Sequence, residues 1–411
     1  MRICGLLGRK LGHSFSPQIH AQLGNYAYHL FEKEPEVLKA FLQEGKFDAL
    51  NVTIPYKKDV IPYLDELSDR ARMLGAVNTI VRRPDGTLIG HNTDFFGFHS
   101  MLMRSGLRVA GKKALVLGSG GASSTVCAVL PQAGADVVVI SRTGEKNYSN
   151  LHRHADASIL VNTTPVGMFP LVDASPVDLG LFPRLEGVLD VIYNPARTQL
   201  LMDAENRGLT SMNGLWMLVA QAKEAAEWFT GTVIPDEAIS SIYADLRRQT
   251  ENYILIGMPG CGKSTVAAHL GAATGREDRV IDADLEIERR AGKSIPEIFA
   301  QDGEDAFRTL ETQVLSDLGK QSGLIIATGG GCVTRKENYP LLHRNGILFW
   351  LRRDLSSLPT DGRPLSQQQR LEEMYRVRKP LYEAFADYSI DNDHSINHTT
   401  EEIRNALWQL K

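Results

Sequence analysis

Cysteine is scarce in this chain. Of 411 residues only Cys4, Cys127, Cys261 and Cys332 carry a thiol, with no CxxC pair among them and no histidine at ligand spacing. That scatter argues against a disulfide framework and against a thiolate zinc site, and it fits a reducing cytoplasm. Aromatic residues make up 7%, and no apolar run is long enough to span a bilayer. The opening MRICGLLGRKLGHSFSP turns polar at once and lacks the apolar centre of a secretory signal. Basic residues are not in excess either: 45 Lys and Arg stand against 49 Asp and Glu, a formal net charge of −4. Neither nucleic acid nor an anionic membrane is therefore an expected partner. No repeat or low-complexity tract is present.

Glycine, at 36 residues, is plentiful. Short β-branched runs alternate with helical patterns along most of the length, the signature of α/β folds with parallel sheets. Two glycine-rich turns stand out, KKALVLGSGGASS over 112–124 and NYILIGMPGCGKST over 252–265. A doubly wound sheet has one nucleotide crevice of this type, so two turns predict two nucleotide-binding domains. The length, too great for one ordinary core, agrees. The polar stretch LRRQTENY, Leu246 to Tyr253, reads as the joint.

In the first turn Gly118, Ser119, Gly120, Gly121 and Ala122 follow an apolar strand. Glycines there let the backbone approach a pyrophosphate, whose charge meets the amino end of the next helix. At the end of the following strand, where an acidic residue would hold a ribose 2′-hydroxyl, stand Ser141, Arg142 and Thr143. A cation between two hydroxyls suits a 2′-phosphate, hence NADP(H); the plainer reading is a solvated strand-end charge. The second turn matches the phosphate loop G-x-x-x-x-G-K-[ST]. Gly257, Gly260, Cys261 and Gly262 present backbone N–H groups, Lys263 reaches the β and γ oxygens of ATP, and Ser264, followed by Thr265, offers its hydroxyl to Mg²⁺.

Ahead of the first turn lie four polar clusters: GHSFSP (12–17), NVTIPYK (51–57), GAVNT (75–79) and GHNTDFFG (90–97). Each alone has an ordinary explanation. Ser14 and Ser16 can open a turn before Pro17, Lys57 can be a surface lysine, Asn78 can satisfy a buried backbone group, and Asp94 can cap a helix. Together and in this order, with NTTPVGM (162–168), DVIYNP (190–195) and NGLWMLVAQA (213–222), they resemble the shikimate dehydrogenase family from Met1 to about Arg248. The resemblance implies that Ser14 and Ser16 hold a substrate carboxylate. It places Asn51, Thr53, Asn78, Asp94 and Gln221 around the ring hydroxyls, with Tyr193 nearby. Lys57 and Asp94 would be the catalytic pair, and Gly214 and Met217 would lie against the nicotinamide. Reducing a ketone leaves an alkoxide that a positioned acid must protonate. The chain departs from the family in reading GSGGA where GAGGA is commoner, and in Ser141 where asparagine is usual.

The remainder resembles shikimate kinase over Asn252 to Lys411, through DADLEIE (282–288), GKSIPEIFAQDGEDAFRTLE (292–311), ATGGG (327–331), GRPL (362–365) and RKPLYE (378–383). By that resemblance Asp284, Arg308, Gly329, Gly330, Gly331 and Arg378 bind shikimate, and Asp282 sits near Mg²⁺. Arg363, on a lid, would join Lys263 on the transferring phosphoryl group, and Asp284 would contact the attacking hydroxyl. The lid lacks an arginine a few residues before Arg363, where many such kinases carry one, and none stands around Asp391 to His394; Arg352 and Arg353 are nearby cations.

The implied architecture is an α/β substrate lobe over 1–98, completed by about 213–248, whose helical segment from Trp216 to Phe229 packs back onto it. A Rossmann-type NADP domain over 99–212 and a P-loop domain of the nucleoside-monophosphate-kinase type over 249–411 follow. The implied activity is reduction of 3-dehydroshikimate and phosphorylation of the resulting shikimate, by a cytoplasmic monomer or homodimer whose partners are small molecules. Two alternatives stay open: a second half that only binds shikimate, and quinate or another polyol acid as substrate.

Overall fold

The computed structural model describes residues 1–12, 14–358 and 371–408, and its strands form three sheets. The first contains β1 (Ile3–Gly8), β2 (Ala27–Glu32), β3 (Ala49–Val52), β4 (Glu66–Leu67), β5 (Thr79–Arg82) and β6 (Leu88–His91). Their order is β2-β1-β3-β5-β6-β4. β1 is parallel to β2 and β3, while β5 is antiparallel to β3 and β6. Leu7, Leu50, Val52, Tyr56, Ile80 and Leu88 belong to one buried cluster beside it.

The second sheet is wholly parallel. It contains β7 (Lys113–Leu117), β8 (Asp136–Ile140), β9 (Ile159–Asn162), β10 (Gly187–Asp190) and β11 (Thr210–Met212), in the order β11-β10-β9-β7-β8. β7 therefore has β8 on one flank and β9 on the other. The order of strands reverses there, opening a crevice at their carboxyl ends. The third sheet repeats this logic with β12 (Asn252–Ile256), β13 (Val280–Asp282), β14 (Ile325–Ala327), β15 (Gly346–Arg352) and β16 (Tyr388–Asp391). The order is β13-β14-β12-β15-β16, again all parallel. Its central strands are buried on both faces, as the apolar runs YILI and ILFWL require. Each glycine-rich turn thus follows the first strand of its own parallel sheet.

The chain divides into two compact units, Met1–Asn194 with Thr198–Tyr243, and Ala244–Lys411 with Pro195–Arg197. The stretch beginning at Leu246 is not a polar connector. A helix runs from Glu237 to Thr250, and β12 starts two residues later. The apolar residues Ile239, Ile242 and Leu246, spaced three and four apart along this helix, are all buried, so its stripe extends through the polar string. Arg247 pairs with the buried Glu251 at 2.7 Å, and the Tyr253 hydroxyl donates to the Arg248 carbonyl at 2.7 Å. Among the described residues no helix is long and apolar enough to cross a membrane.

A second half expressed from Ala244 keeps Leu246 and these bonds, whereas one starting at Asn252 loses them. Losing a fully buried leucine removes about 2 kcal/mol. The shorter fragment is expected to melt on the order of 5 °C lower, and equal melting temperatures in a thermal scan would refute this role for the segment.

Candidate active sites

In the first unit the carboxyl ends of β1, β3 and β6 and the start of the antiparallel β5 carry the polar clusters to one edge of the sheet. The loop after β3 is pinned by the Thr53 N–H donating to the Leu7 carbonyl at 2.9 Å and by the Val77 N–H donating to the Lys57 carbonyl at 2.7 Å. Asp94 opens the helix Asp94–Ser105, and its N–H donates to Asn92 Oδ1 at 3.0 Å. Between these two elements Lys57 Nζ donates to Asp94 Oδ2 at 2.6 Å, with the side chains 24% and 11% exposed. An ammonium and a carboxylate, little exposed yet open to one side, can orient a substrate oxygen and pass it a proton.

Asn78 is committed to Thr93. Its Nδ2 donates to Thr93 Oγ1 at 3.0 Å and its Oδ1 accepts the Thr93 N–H at 2.8 Å, which fixes the residue before Asp94. Thr93 Oγ1 also approaches Gln221 Oε1 at 3.3 Å. Asn51 Oδ1 accepts from the Tyr28 hydroxyl at 2.8 Å. The helix Ser16–Leu23 begins with Ser16, whose N–H donates to Ser14 Oγ at 3.2 Å, and Phe15 packs on the Tyr193 ring at 5.8 Å. Burial pushes the Tyr193 hydroxyl above its ordinary pKa, so it stays a neutral donor.

Gln221 is carried to this site by the helix Leu215–Thr230, which lies against Asp94–Ser105. The approach is close. A Cβ on Gly97 would stand 2.7 Å from the Met217 carbonyl oxygen and 2.9 Å from Gln221 Cβ. Trp216 Nε1 donating to Ser100 Oγ at 2.8 Å fastens the same crossing.

In the second sheet the turn after β7 is shaped for a bulky anion. Gly118 has φ +106°, and a Cβ there would meet Thr163 Oγ1 at 2.8 Å. Cβ atoms on Gly120 and Gly121 would meet nothing within 4 Å, leaving open space beside Ser119 and Ala122 at the start of the 12-residue helix Gly121–Gln132. That fits a pyrophosphate. Arg142 and Thr143 are exposed just beyond β8, while Ser141 Oγ accepts from the Gly144 N–H at 2.9 Å and so shapes its own turn. A Cβ on Gly214 would fall 2.0 Å from the Val191 carbonyl oxygen, so backbone meets backbone just ahead of Met217.

Sequence reasoning did not single out Asp190 as a group that positions this loop. It is buried, accepting from Asn162 Nδ2 at 3.0 Å, the Ile192 N–H at 3.0 Å and Thr198 Oγ1 at 2.8 Å. Burial pushes its carboxyl up to about 6 despite these donors. It ties the segment bearing Tyr193 to the end of β9. The local signal was polar residues closing two apolar strands, NTT and DVIYN.

In the second unit a cavity of about 620 Å³ is lined from both sides. On one side lies the phosphate loop. Lys263 Nζ donates to the Gly257 and Met258 carbonyls at 2.9 and 3.0 Å, and Gly260, Gly262, Ser264 and Thr265 line the space. Cys261 is buried beneath the loop. Ser264 Oγ donates to Asp282 Oδ2 at 2.5 Å. A hydroxyl and a carboxylate in contact beside a phosphate loop are hard oxygen ligands of the kind that suit a divalent cation.

On the other side stand Asp284, Arg308, Gly329, Gly330, Gly331 and Arg378. The glycines give four different side chains room. A Cβ on Gly329 would come within 2.7 Å of Asp284 Oδ1 and 2.8 Å of Glu311 Oε1, one on Gly330 would strike Pro259 at 2.6 Å, and one on Gly331 would overlap the Arg308 guanidinium at 2.2 Å. Arg378 Nη1 and the Tyr382 hydroxyl donate to the Gly330 carbonyl at 3.1 and 2.5 Å. Arg308 Nη1 pairs with the buried Glu311 at 2.7 Å, a partner not picked out beforehand although it lies three residues along the helix. Asp284 Oδ1 and Glu311 Oε1 are buried acceptors without a donor. Burial, opposed by Lys263 and reinforced by Glu311, pushes the Asp284 carboxyl up to about 6. Arg363 lies outside the described residues.

A dinucleotide-type turn behind a lysine–aspartate pair, followed by a phosphate loop facing an arginine-lined acceptor site, defines an oxidoreductase joined to a phosphotransferase. Comparison with known proteins names both. Residues 6–80 match the model of the shikimate dehydrogenase substrate binding domain, and residues 259–408 match that of shikimate kinase. Shikimate dehydrogenase (NADP(+)) of Clostridium perfringens is 34% identical over 269 residues, covering 60% of this chain and 99% of the relative. That of Symbiobacterium thermophilum is 39% identical over 263 residues, 56% of this chain and 89% of the relative. Among solved structures, a chorismate mutase/shikimate 5-dehydrogenase fusion from Clostridium acetobutylicum is 36% identical with TM-score 0.57, covering 60% of this chain and 97% of that one. The Thermus thermophilus shikimate 5-dehydrogenase in complex with NADP(H) and shikimate is 32% identical with TM-score 0.55, covering 60% and 99%. The chain belongs to the shikimate dehydrogenase family over its first 60% and carries a shikimate kinase domain behind it.

Because the helix crossing at Gly97 has no room for a methyl group, Gly97→Ala is expected to cost about 1–3 kcal/mol. It should also lower shikimate oxidation at least tenfold, since it displaces Gln221 and the Asp94 helix. Unchanged oxidation kinetics and melting temperature would show that the two helices slide apart freely.

Proposed function

We propose that this chain reduces 3-dehydroshikimate to shikimate with NADPH at its first site and phosphorylates shikimate with ATP at its second. One observation carries the reading of the acceptor. The cavity that holds the phosphate-loop Lys263 and Ser264 also presents two orphaned buried acceptors, on Asp284 and Glu311, and two guanidinium groups, on Arg308 and Arg378. Orphaned acceptors call for hydroxyl donors, and paired arginines call for a carboxylate. A polyhydroxy acid meets both demands. The same set argues against a second half that only binds, since simple binding needs no phosphate loop.

At the first site, Ser14 and Ser16 hold the substrate carboxylate, and Asn51, Thr53, Asn78, Tyr193 and Gln221 surround the ring. The lobe over 1–98, completed by about 213–248, supplies these groups apart from Tyr193, which the domain over 99–212 contributes; that domain holds NADP through Gly118–Ala122 and Ser141–Thr143, joined by Gly214 and Met217 of the completing segment. Bound NADPH supplies the hydride. Lys57 stabilises the developing alkoxide and gives it a proton, while Asp94 keeps the ammonium aimed. At the second site, within 249–411, Ser264 and Asp282 hold Mg²⁺, which neutralises phosphate charge when present. Lys263 and Arg363 draw charge off the transferring group, Arg308 and Arg378 orient the acceptor, and Asp284 receives its hydroxyl proton.

A coupled assay supplying 3-dehydroshikimate, NADPH, ATP and Mg²⁺ tests the assignment, with each product followed separately. Lys57→Ala is expected to slow reduction by about 10²–10⁴-fold while shikimate added directly is still phosphorylated at the parent rate. Reduction at near-parental speed would show that another group supplies the proton.

The Asp284 carboxyl, raised to about 6, sets a pH limb. Below that value it is protonated and cannot accept the hydroxyl proton; above it the carboxylate is available. Phosphorylation kcat/KM is expected to fall roughly tenfold per pH unit below about pH 6 and to level off above it. Asp284→Asn should lose both rate and limb. A limb that persists in the variant assigns the titration elsewhere.

A further inference from the structure

With the second half read as an ATP-dependent kinase, we propose that Arg353 is an additional nucleotide-binding residue, one that donates to the polyphosphate beside the phosphate loop. β15 pairs directly with β12, with Trp350 opposite Ile256, so the chain leaving β15 runs alongside the loop leaving β12. Arg353 is the first residue beyond β15. Its side chain lines the same cavity as Gly260, Gly262, Lys263 and Ser264, and a Cβ on Gly262 would lie 3.8 Å from its Nη1. Gly262 immediately precedes the helix Lys263–Thr274, whose first N–H groups point at the space a phosphate takes.

Among the described residues this guanidinium has no ion-pair partner, and its Nε is buried with no hydrogen bond. The two other arginines of the cavity are engaged, Arg308 with Glu311 and Arg378 with the Gly330 carbonyl. The acids nearest Arg353 in sequence or register are spent on other donors. Asp354 Oδ1 accepts from Ser356, Asp393 Oδ1 from the Asp354 N–H, and Asp391 Oδ1 from the Asp393 N–H. The base of the side chain is also held. The Asn392 N–H donates to the Arg352 carbonyl at 2.8 Å, and Asn392 Nδ2 donates to the Cys261 carbonyl at 2.6 Å. Burying part of a guanidinium without an anion is costly. A cation left uncompensated at the rim of a phosphate loop is placed to receive a ligand's negative charge, and its planar fork suits phosphate oxygens.

The test is calorimetric titration of the full chain with MgADP, which needs no turnover. Arg353→Gln is expected to weaken MgADP by about ten- to a hundredfold, and Arg353→Lys, which keeps the charge, by much less. The KM for ATP should rise in parallel while that for shikimate and the melting temperature stay put. Arg352→Gln, which removes the exposed neighbour, should leave MgADP affinity at the parent value. Parental MgADP affinity in Arg353→Gln overturns the proposal. So does an equal loss in Arg352→Gln, or a joint loss of MgADP and shikimate affinity with a lowered melting temperature. A parent chain that binds MgADP but does not phosphorylate shikimate would sink the kinase reading and leave the Arg353 result standing.

Discussion

Close approach of backbone, at positions where a Cβ would collide, is the constraint on which both sites rest. At Gly97 it lets two helices cross near enough for Gln221 to meet Thr93, and so to share a wall with Asp94. At Gly329, Gly330 and Gly331 it lets a carboxylate pair, a proline of the phosphate loop and a guanidinium converge on three successive residues. Neither arrangement is a matter of flexibility. Each is a packing solution in which side-chain volume was removed so that polar groups from distant segments could occupy it.

Charge is then handled alike in the two halves. Three of the cations assigned to the two hydroxy acids are already held by an acid or a carbonyl: Lys57 by Asp94, Arg308 by Glu311, Arg378 by Gly330. Such groups are oriented before ligand arrives, so little ordering is left to do when it binds. The acceptors show the opposite pattern. Asp284 and Glu311 each keep one oxygen unpaired, a cost in the free protein that a hydroxylated ligand relieves. Together these make a site that selects for an acid carrying hydroxyls.

Much of this was legible beforehand, for a physical reason. Catalytic and phosphate-binding groups sit in turns at strand ends, where they interrupt apolar periodicity and so stand out: Gly118 after β7, Lys263 after β12, Asp282 closing β13. What escaped reading were pairings across long separations. Nothing local announces that Thr93 meets Gln221, or that Asp190 joins Asn162 and Thr198 in a buried knot. The stretch beginning at Leu246 misled because its surface charges hid an apolar stripe with a spacing of three and four. Arg353 was visible only as one of two adjacent cations, and burial of its Nε distinguishes it from Arg352.

The helix Glu237–Thr250 has a consequence for the life of the molecule. Proteases cut exposed, extended chain, and a peptide bond inside a helix must first be unwound. Here the last passage from the first unit to the second falls within such a helix, and its last turn is anchored by Leu246 and Glu251. Two reactions encoded on one chain are made in equal number, and along this helix the chain offers no extended bond at which to part them.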